Sequence, residues 1–279
     1  MPADVSDGMP EQRVMEQSVR LPTDGAVTGW AACRLHRAAF FDGLDRDGVT
    51  RLPVPLALGT KSRIRGDSAV RLSREKLAED EVVDLRGLRY TTICRALFDA
   101  MRWAPDVREA CVAMDMAAAA ELASVSMMRG YVDSHSGWEG IEQVRDALEL
   151  ADENSKSPNE TRLRLIWILD AGLPPLLVNA PVFDSRGGLL GIADLLDPVA
   201  GVVGEFDGAA HRTARRHRRD VVREDLFRRA GLEYFKVVGL DLRDPATLVA
   251  PDGWYECPED LMTLDQRIAY RASLRAEAG

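Results

Sequence analysis

The sequence lacks any uninterrupted run of about 18 apolar residues, the length a membrane-crossing helix needs. Its polar opening, Met1 to Arg20, also lacks the apolar centre of a secretory signal. No membrane partner is expected, and the cytoplasm is the expected compartment. Cysteine is scarce: Cys33, Cys94, Cys111 and Cys257 lie far apart and form no C-x-x-C pair, which argues against a zinc site and against a disulfide framework. Lysine occurs only at Lys61, Lys76, Lys156 and Lys236, so nearly all positive charge is guanidinium. Trp30, Trp103 and Trp167 have no basic residues alternating around them, so they are expected in the core and not as base-stacking platforms. Internal repeats and low-complexity segments are missing too. A net charge of −9 supplies no global electrostatic reason to bind nucleic acid.

What is present suffices for two domains: 279 residues, 46% of them hydrophobic. Residues 1–20 are polar without a sustained period and are expected to be a flexible tail. Residues 21–150 read as a mainly helical domain with short strands. A helix pattern from Ala26 to Phe41 is followed by strand-like runs at Leu52 to Leu58 and Ala69 to Leu72, then by a small hairpin, Glu81 to Leu85 and Leu88 to Tyr90, turning at Gly87. Thr92 can cap a helix through Ala96, Leu97 and Met101, and Pro105 suits the start of another through Met116 and Leu122. Asp99 and Asp115, on apolar helices, are expected to pair with arginine or to cap neighbours, with Arg95 four residues before Asp99. Helices at Val125 to Tyr131 and Gly140 to Leu150 lead to a polar linker, Ala151 to Lys156, where the domain boundary is placed. Residues 157–245 then read helix, three strands, helix, strand: Ser157 as N-cap with Pro158 at the first helical position, strands at Leu177 to Phe183, Leu189 to Leu195 and Val202 to Phe206, a basic helix from about Ala214 to Ala230 stopped by Gly231, and a last strand from Glu233 to Val238. The fold class expected is thus α/β (α+β), and residues 246–279 form a C-terminal extension.

The most informative stretch is Gly191 to His211, GIADLLDPVAGVVGEFDGAAH. Gly-Ile-Ala before Asp194 and Gly-Val-Val-Gly before Glu205 read as short core strands joined by a turn at Asp197, Pro198 and Gly201. Alternation puts Glu205 and Asp207 on one face and Phe206 on the other, and pairing the strands brings Asp194 alongside. Unit charges about 4 Å apart repel by roughly 4 kcal/mol at an effective dielectric near 20, so such a cluster holds a cation or a proton. Mg²⁺ or Mn²⁺ is the expected cation, with Asp194, Glu205 and Asp207 as candidate ligands. A basic cluster begins where the acids end: Arg212, Arg215, Arg216, Arg218, Arg219, Arg223, Arg228 and Arg229, opposed only by Asp220, Glu224 and Asp225. A solvated helix face is the ordinary reading of such a run. Beside an acid cluster, phosphate contact by Arg212, Arg215, Arg216, Arg219 and Arg223 becomes the stronger one. Arg219 precedes Val222 by three residues and Leu226 by seven, so it is expected on their sheet-facing stripe, with Arg223 at its border.

The element order, with Ser157-Pro158-Asn159-Glu160 on the first helix, Asp194 on the second strand, Glu205-Phe206-Asp207-Gly208 on the third followed by His211, and Asp220 with Arg223 on the next helix, resembles the PD-(D/E)XK restriction-endonuclease-like superfamily, and within it the Vsr-like branch. The resemblance covers Ser157 to Asp241. In the first domain, Val27-Thr28-Gly29-Trp30-Ala31-Ala32 and Thr91-Thr92-Ile93-Cys94-Arg95-Ala96-Leu97-Phe98-Asp99 resemble AbiEi-type antitoxin proteins of abortive-infection systems. The first resemblance implies hydrolysis of phosphodiester bonds, DNA ahead of RNA, with Asp194 and Glu205 holding the divalent ion. The second implies a setting in phage defence or a toxin–antitoxin system, with a toxin or antitoxin as protein partner. One position departs from the superfamily pattern: where a lysine usually stands, two residues after the Glu, this chain has Asp207. A carboxylate cannot neutralise charge developing on a phosphorane, so Asp207 is either a further metal ligand or a strand-ending turn residue with Gly208. The other candidate catalytic residues also carry two readings each. Glu160 fits a capping box with Ser157 or an active-site role, and His211 fits a proton donor to the leaving oxygen, a metal ligand or a surface residue. Two functions follow, a metal-dependent nuclease, or a non-catalytic DNA-binding regulator that has kept the fold and the basic helix.

Overall fold

The computed structural model describes residues 9–207, 214–239 and 242 of the chain. Its strands close two separate mixed sheets, one in each of the units Met1–Glu153 and Asn154–Gly279. This is the α/β class that the patterning implies. The division falls inside the segment 151–156, and the extension expected at 246–279 lies outside the described residues. No helix among the described residues is long and apolar enough to cross a membrane.

The first unit builds a five-stranded sheet in the order β3-β2-β1-β5-β4, from β1 (Ala26–Val27), β2 (Val54–Ala57), β3 (Val70–Ser73), β4 (Val82–Leu85) and β5 (Leu88–Thr91). Its helices are α1 (Pro10–Ser18), α2 (Gly29–Leu35), α3 (Ile93–Arg102), α4 (Val107–Ala119), α5 (Val125–Ser134) and α6 (Ile141–Leu150). Three local expectations change. The polar start is not wholly a tail, because α1 docks through one buried apolar residue, Val14, and through Arg13, which donates to the carbonyls of Gly43 and Leu52 and lies over the Trp30 ring. One valine leaves no period to read. The helix expected from Ala26 shrinks to Gly29–Leu35, because Ala26 and Val27 pair with β2 and Gly29 takes φ +55° where a Cβ would meet Pro55. And Pro105 only precedes the start of α4, whose cap is Asp106 accepting from the Glu109 amide at 2.9 Å.

Helix α3 carries three charged side chains into the core beside Leu97, Phe98 and Met101: Arg95, Asp99 and Arg102 are all buried. Asp99 accepts from Arg95 Nε at 2.9 Å, from Arg102 Nε at 2.8 Å and from Thr28 Oγ1 at 2.6 Å, and Thr91 Oγ1 donates to Thr28 Oγ1 at 3.1 Å. The pairing of Asp99 with Arg95 is the one expected from their spacing. Two further carboxylates complete the balance: Glu81 lies 3.3 Å from Arg95, and Glu75 accepts from Arg102 at 2.7 Å, while the Trp138 ring lies 4.6 Å from the Arg95 guanidinium. Asp115 accepts from the Asp152 amide at 2.8 Å and so anchors the end of the unit.

In the second unit α7 (Pro158–Leu165), lengthened by a wide π turn at Ile166–Asp170, is followed by β6 (Leu177–Phe183), β7 (Leu189–Asp197), β8 (Val202–Asp207), α8 (Ala214–Arg229) and β9 (Glu233–Val238). Strands β6, β7 and β8 form an antiparallel meander and β9 joins β8 in parallel, giving the order β6-β7-β8-β9. Aspartates close both hairpin turns. Asp184 accepts from the amides of Arg186 and Gly188 at the first, Asp197 accepts from Val199 and Ala200 at the second, and Gly231 at φ +80° ends the helix. Two apolar layers cover the sheet. Leu163 and Ile166 pack with Val178, Leu195 and Val237, whereas Phe227 packs with Val182, Ala193, Leu196, Val203 and Tyr234.

The charged cluster of the first unit gives a stability prediction. Removing one partner of a buried ion pair leaves an uncompensated charge and costs about 3–5 kcal/mol. Asp99→Ala in the full chain should therefore lower unfolding stability by about that amount in urea titration followed by tryptophan fluorescence, since it removes the carboxylate that Arg95 and Arg102 share in the core. A loss below about 0.5 kcal/mol, the range of ordinary surface substitutions, would overturn the assignment.

Candidate active site

The two ladders of β7 do not run through unchanged. Val178 and Leu195 pack toward α7, yet Ala180 and Ala193, of the same parity, pack toward α8. The reversal falls at Asn179 and Asp194, the one opposed pair missing from an otherwise continuous register between Leu177 and Val182. Asn179 sits there at φ +47°, in the left-handed region that Asn tolerates better than most residues. Both side chains are turned to use. Asn179 Nδ2 donates to the Asn154 carbonyl and to Glu160 Oε2, each at 2.8 Å, and Asp194 Oδ2 accepts from the Phe206 amide of β8 at 2.9 Å, one residue beyond the point where the β7–β8 pairing stops.

Glu205, next to that amide, is only 2% exposed. Its Oε2 accepts two hydrogen bonds at 2.7 Å, from Arg223 Nη2 on α8 and from the Tyr234 hydroxyl on β9. Its Oε1 is buried and has no hydrogen-bond partner among the described residues. Burial and then the Glu205 carboxylate push the Tyr234 phenol well above its ordinary range, so it stays protonated and donates. Burial also dominates at Asp194. It raises the carboxyl to about 7 against the Phe206 amide, and the charges of Glu160 and Glu205 add to the rise while Arg223 opposes it. Near neutral pH this corner therefore holds a proton or attracts a cation, as the crowding of acids in the sequence implies.

The remaining candidates separate. Glu160 closes a capping box: Ser157 Oγ donates to its Oε1 at 2.8 Å, the Lys156 amide and Asn179 bond its Oε2 at 2.9 and 2.8 Å, and its own amide donates to Ser157 Oγ at 3.3 Å. Both oxygens are thus engaged in the capping geometry. Its charge also raises the Asp194 carboxyl. Asp207 ends β8, half-buried and opposite Val238. His211 and Arg212 lie outside the described residues, and Arg215, Arg216 and Arg219 belong to α8 with side chains outside them.

The face of α8 that meets the sheet is not the expected one. Val222 and Leu226 are 52% and 36% exposed, whereas Phe227 is fully buried and Arg223 reaches Glu205. Residues four apart share a helix face, so the inward stripe runs through Arg223 and Phe227 and leaves Val222 and Leu226 outside it. Gly191 makes room for that stripe: a Cβ there would stand 2.9 Å from the Arg223 stem and 3.1 Å from Phe227. Gly191, Asn179 and Tyr234 were not singled out by the sequence. The glycine between apolar strand residues was a usable signal of close approach. Nothing local marks the other two.

Among the described residues no group of three or more His, Cys, Asp and Glu side chains is arranged to hold a metal ion. Asp194 and Glu205 are the pair that could hold one. One carboxyl is raised by burial and neighbouring negative charge, and the other presents a buried, bare oxygen.

A pH prediction follows for the protein in chelator. Asp194 binds its proton more tightly folded, near pH 7, than unfolded, near pH 4, so its favourable contribution is complete below about pH 4 and is lost as pH rises through 7. Asp194→Asn keeps an oxygen for the Phe206 amide and removes this dependence. The variant should melt several degrees above the unsubstituted protein at pH 8, and the gap should close toward pH 5. Parallel melting curves across that range would show that Asp194 is not held in a proton-demanding site. Comparison of the chain with protein-family models, with curated proteins and with solved structures finds no match.

Proposed function

We propose that the second unit is a divalent-metal-dependent nuclease of the PD-(D/E)XK, Vsr-like kind that hydrolyses phosphodiester bonds in DNA. The observation that carries this reading is the bare, buried Oε1 of Glu205 on β8, beside Asp194 on β7, at the point where the meander reverses its faces. Asp194 and Glu205 would hold Mg²⁺ or Mn²⁺, with Asp207 as a third acid on the same strand. Such a cation polarises the scissile phosphate and lowers the pKa of an attacking water. The chain's own part is to position and to exclude: Phe206 and Tyr234 fix the two carboxylates, and the apolar layers on both faces keep bulk water from the buried side of Glu205. The arginines of α8 supply the phosphate contacts, which an overall acidic chain must concentrate in one place. The first unit is then the recognition or partner domain, in a phage-defence or toxin–antitoxin setting.

A second reading has its own support. Arg223 and Tyr234 already satisfy half of Glu205 from within the protein, and the lysine of the superfamily pattern is Asp207 here. A non-catalytic DNA-binding regulator would keep that arrangement and the basic helix without turnover.

Plasmid DNA incubated with the protein in Mg²⁺, in Mn²⁺ or in excess chelator separates the two. The nuclease reading expects nicking in either metal, none in chelator, and reduction to background by Asp194→Ala and by Glu205→Ala. Absence of cleavage of DNA and RNA in every buffer, with unaltered DNA binding by Glu205→Ala, favours the regulator. Binding itself should fall with salt, and Arg219→Ala should flatten the log–log slope by about one unit if it contacts one phosphate. An unchanged slope returns that residue to a solvated helix face.

A further inference from the structure

The two donors on Glu205 Oε2 differ in their freedom. Tyr234 is 7% exposed, lies on β9 in register with β8, and its ring sits 6.2 Å from that of Phe227 in the apolar layer under α8. It cannot leave without opening the sheet. Arg223 reaches the same oxygen on a long stem that passes over Gly191, and its side chain is 32% exposed. A guanidinium recognises a phosphate with the same planar fork that it offers a carboxylate. The rotation that would carry it off Glu205 is a side-chain movement.

What keeps the Arg223 bond to Glu205 in place is the cost of the alternative. A carboxylate as buried as Glu205 is strongly destabilised when its cation is removed. Arg223 is therefore released only when other positive charge reaches Glu205, and the bare Oε1 marks where that charge would bind. We propose that Arg223 is an exchange residue. It neutralises Glu205 in the ligand-free protein and transfers to a phosphate of bound DNA when a divalent cation takes over Glu205, while Tyr234 stays on Oε2 as the positioning residue in both states. The inference rests on the metal-dependent reading above and deepens it. It supplies, from the helix, the positive charge that Asp207 does not bring to the strand. It also makes cation and DNA binding mutually reinforcing, because each ligand takes the partner that would otherwise hold back the other.

Ca²⁺, a hard cation that seeks oxygen ligands, is a suitable probe. Two measurements test the exchange on the full chain: Ca²⁺ affinity of the protein alone by calorimetry, and affinity for a fluorescent DNA duplex by anisotropy, in Ca²⁺ and in chelator. In the unsubstituted protein Ca²⁺ should tighten DNA binding by about 5-fold or more, within the usual range of coupled sites. Arg223→Gln should bind Ca²⁺ more tightly without DNA, by a similar factor of about 5, and lose the tightening of DNA by Ca²⁺. Arg223→Lys, which keeps the charge but offers no fork, should bind Ca²⁺ more tightly than the unsubstituted protein while retaining part of the coupling, and it carries the test if the Gln variant does not fold. Tyr234→Phe should weaken Ca²⁺ binding in the DNA complex. Equal Ca²⁺ affinities and equal coupling in the Arg223 variants and the unsubstituted protein would overturn the exchange and leave the metal site standing. No Ca²⁺ binding by any of them, with or without DNA, would overturn both.

Discussion

A carboxylate on an interior strand must be compensated, and in the second unit the arrangement around β8 follows from how Glu205 meets that demand. Its charge is 2% exposed, so water contributes almost nothing to it. Compensation comes from across the sheet, with Tyr234 from the neighbouring strand and Arg223 from the helix that connects the two. The rotation of α8 that aims Arg223 at Glu205 also seats Phe227 in the apolar layer and leaves Val222 and Leu226 facing outward. Gly191 follows from the same constraint, because a side chain at that point of β7 would stand where the Arg223 stem passes. The compensation of Glu205, the rotation of α8, the glycine and the burial of Phe227 thus belong to one arrangement.

The first unit meets the same requirement with a different outcome, and the contrast is informative. Asp99 is buried as fully as Glu205, but both of its oxygens are engaged, by Arg95, Arg102 and Thr28. Nothing at Asp99 is left for a ligand, and its network fastens α3 to Thr28, just before α2, and, through Thr91, to β5. Glu205 is served on one oxygen only. A saturated buried acid is a structural fastener, whereas a half-served one, beside a second acid that retains its proton to about pH 7, is a place where a cation would be stabilised. The difference lies in how the demand of each acid is met, since the two are equally hidden from solvent.

Much of this was legible in the chain. Turn residues at Ser185 to Gly188, at Asp197 to Gly201 and at Gly231 mark the ends of elements, and apolar runs between them give the strands of the second unit nearly to the residue. Ser157 and Glu160 declare the start of α7 by their spacing, and the capping bonds they make are those the spacing implies. Polar elements were harder. Helix α1 docks by one valine and one arginine, too little for a period, and the left-handed turn at Asn179 has no signature in its neighbours.

By itself the sequence determined the order of the elements, the fold class, and the placement of Asp194 and Glu205 on adjacent strands, because turn chemistry and side-chain alternation act over a few residues. Only the tertiary structure decided which partners those acids have. Arg223 is 18 residues from Glu205 and Tyr234 is 29 away, and their meeting depends on the rotation of α8 and the parallel register of β9. Those are set by the packing of Phe227 and by strand pairing, which sum contacts from the whole unit and leave no mark in any one stretch of the chain.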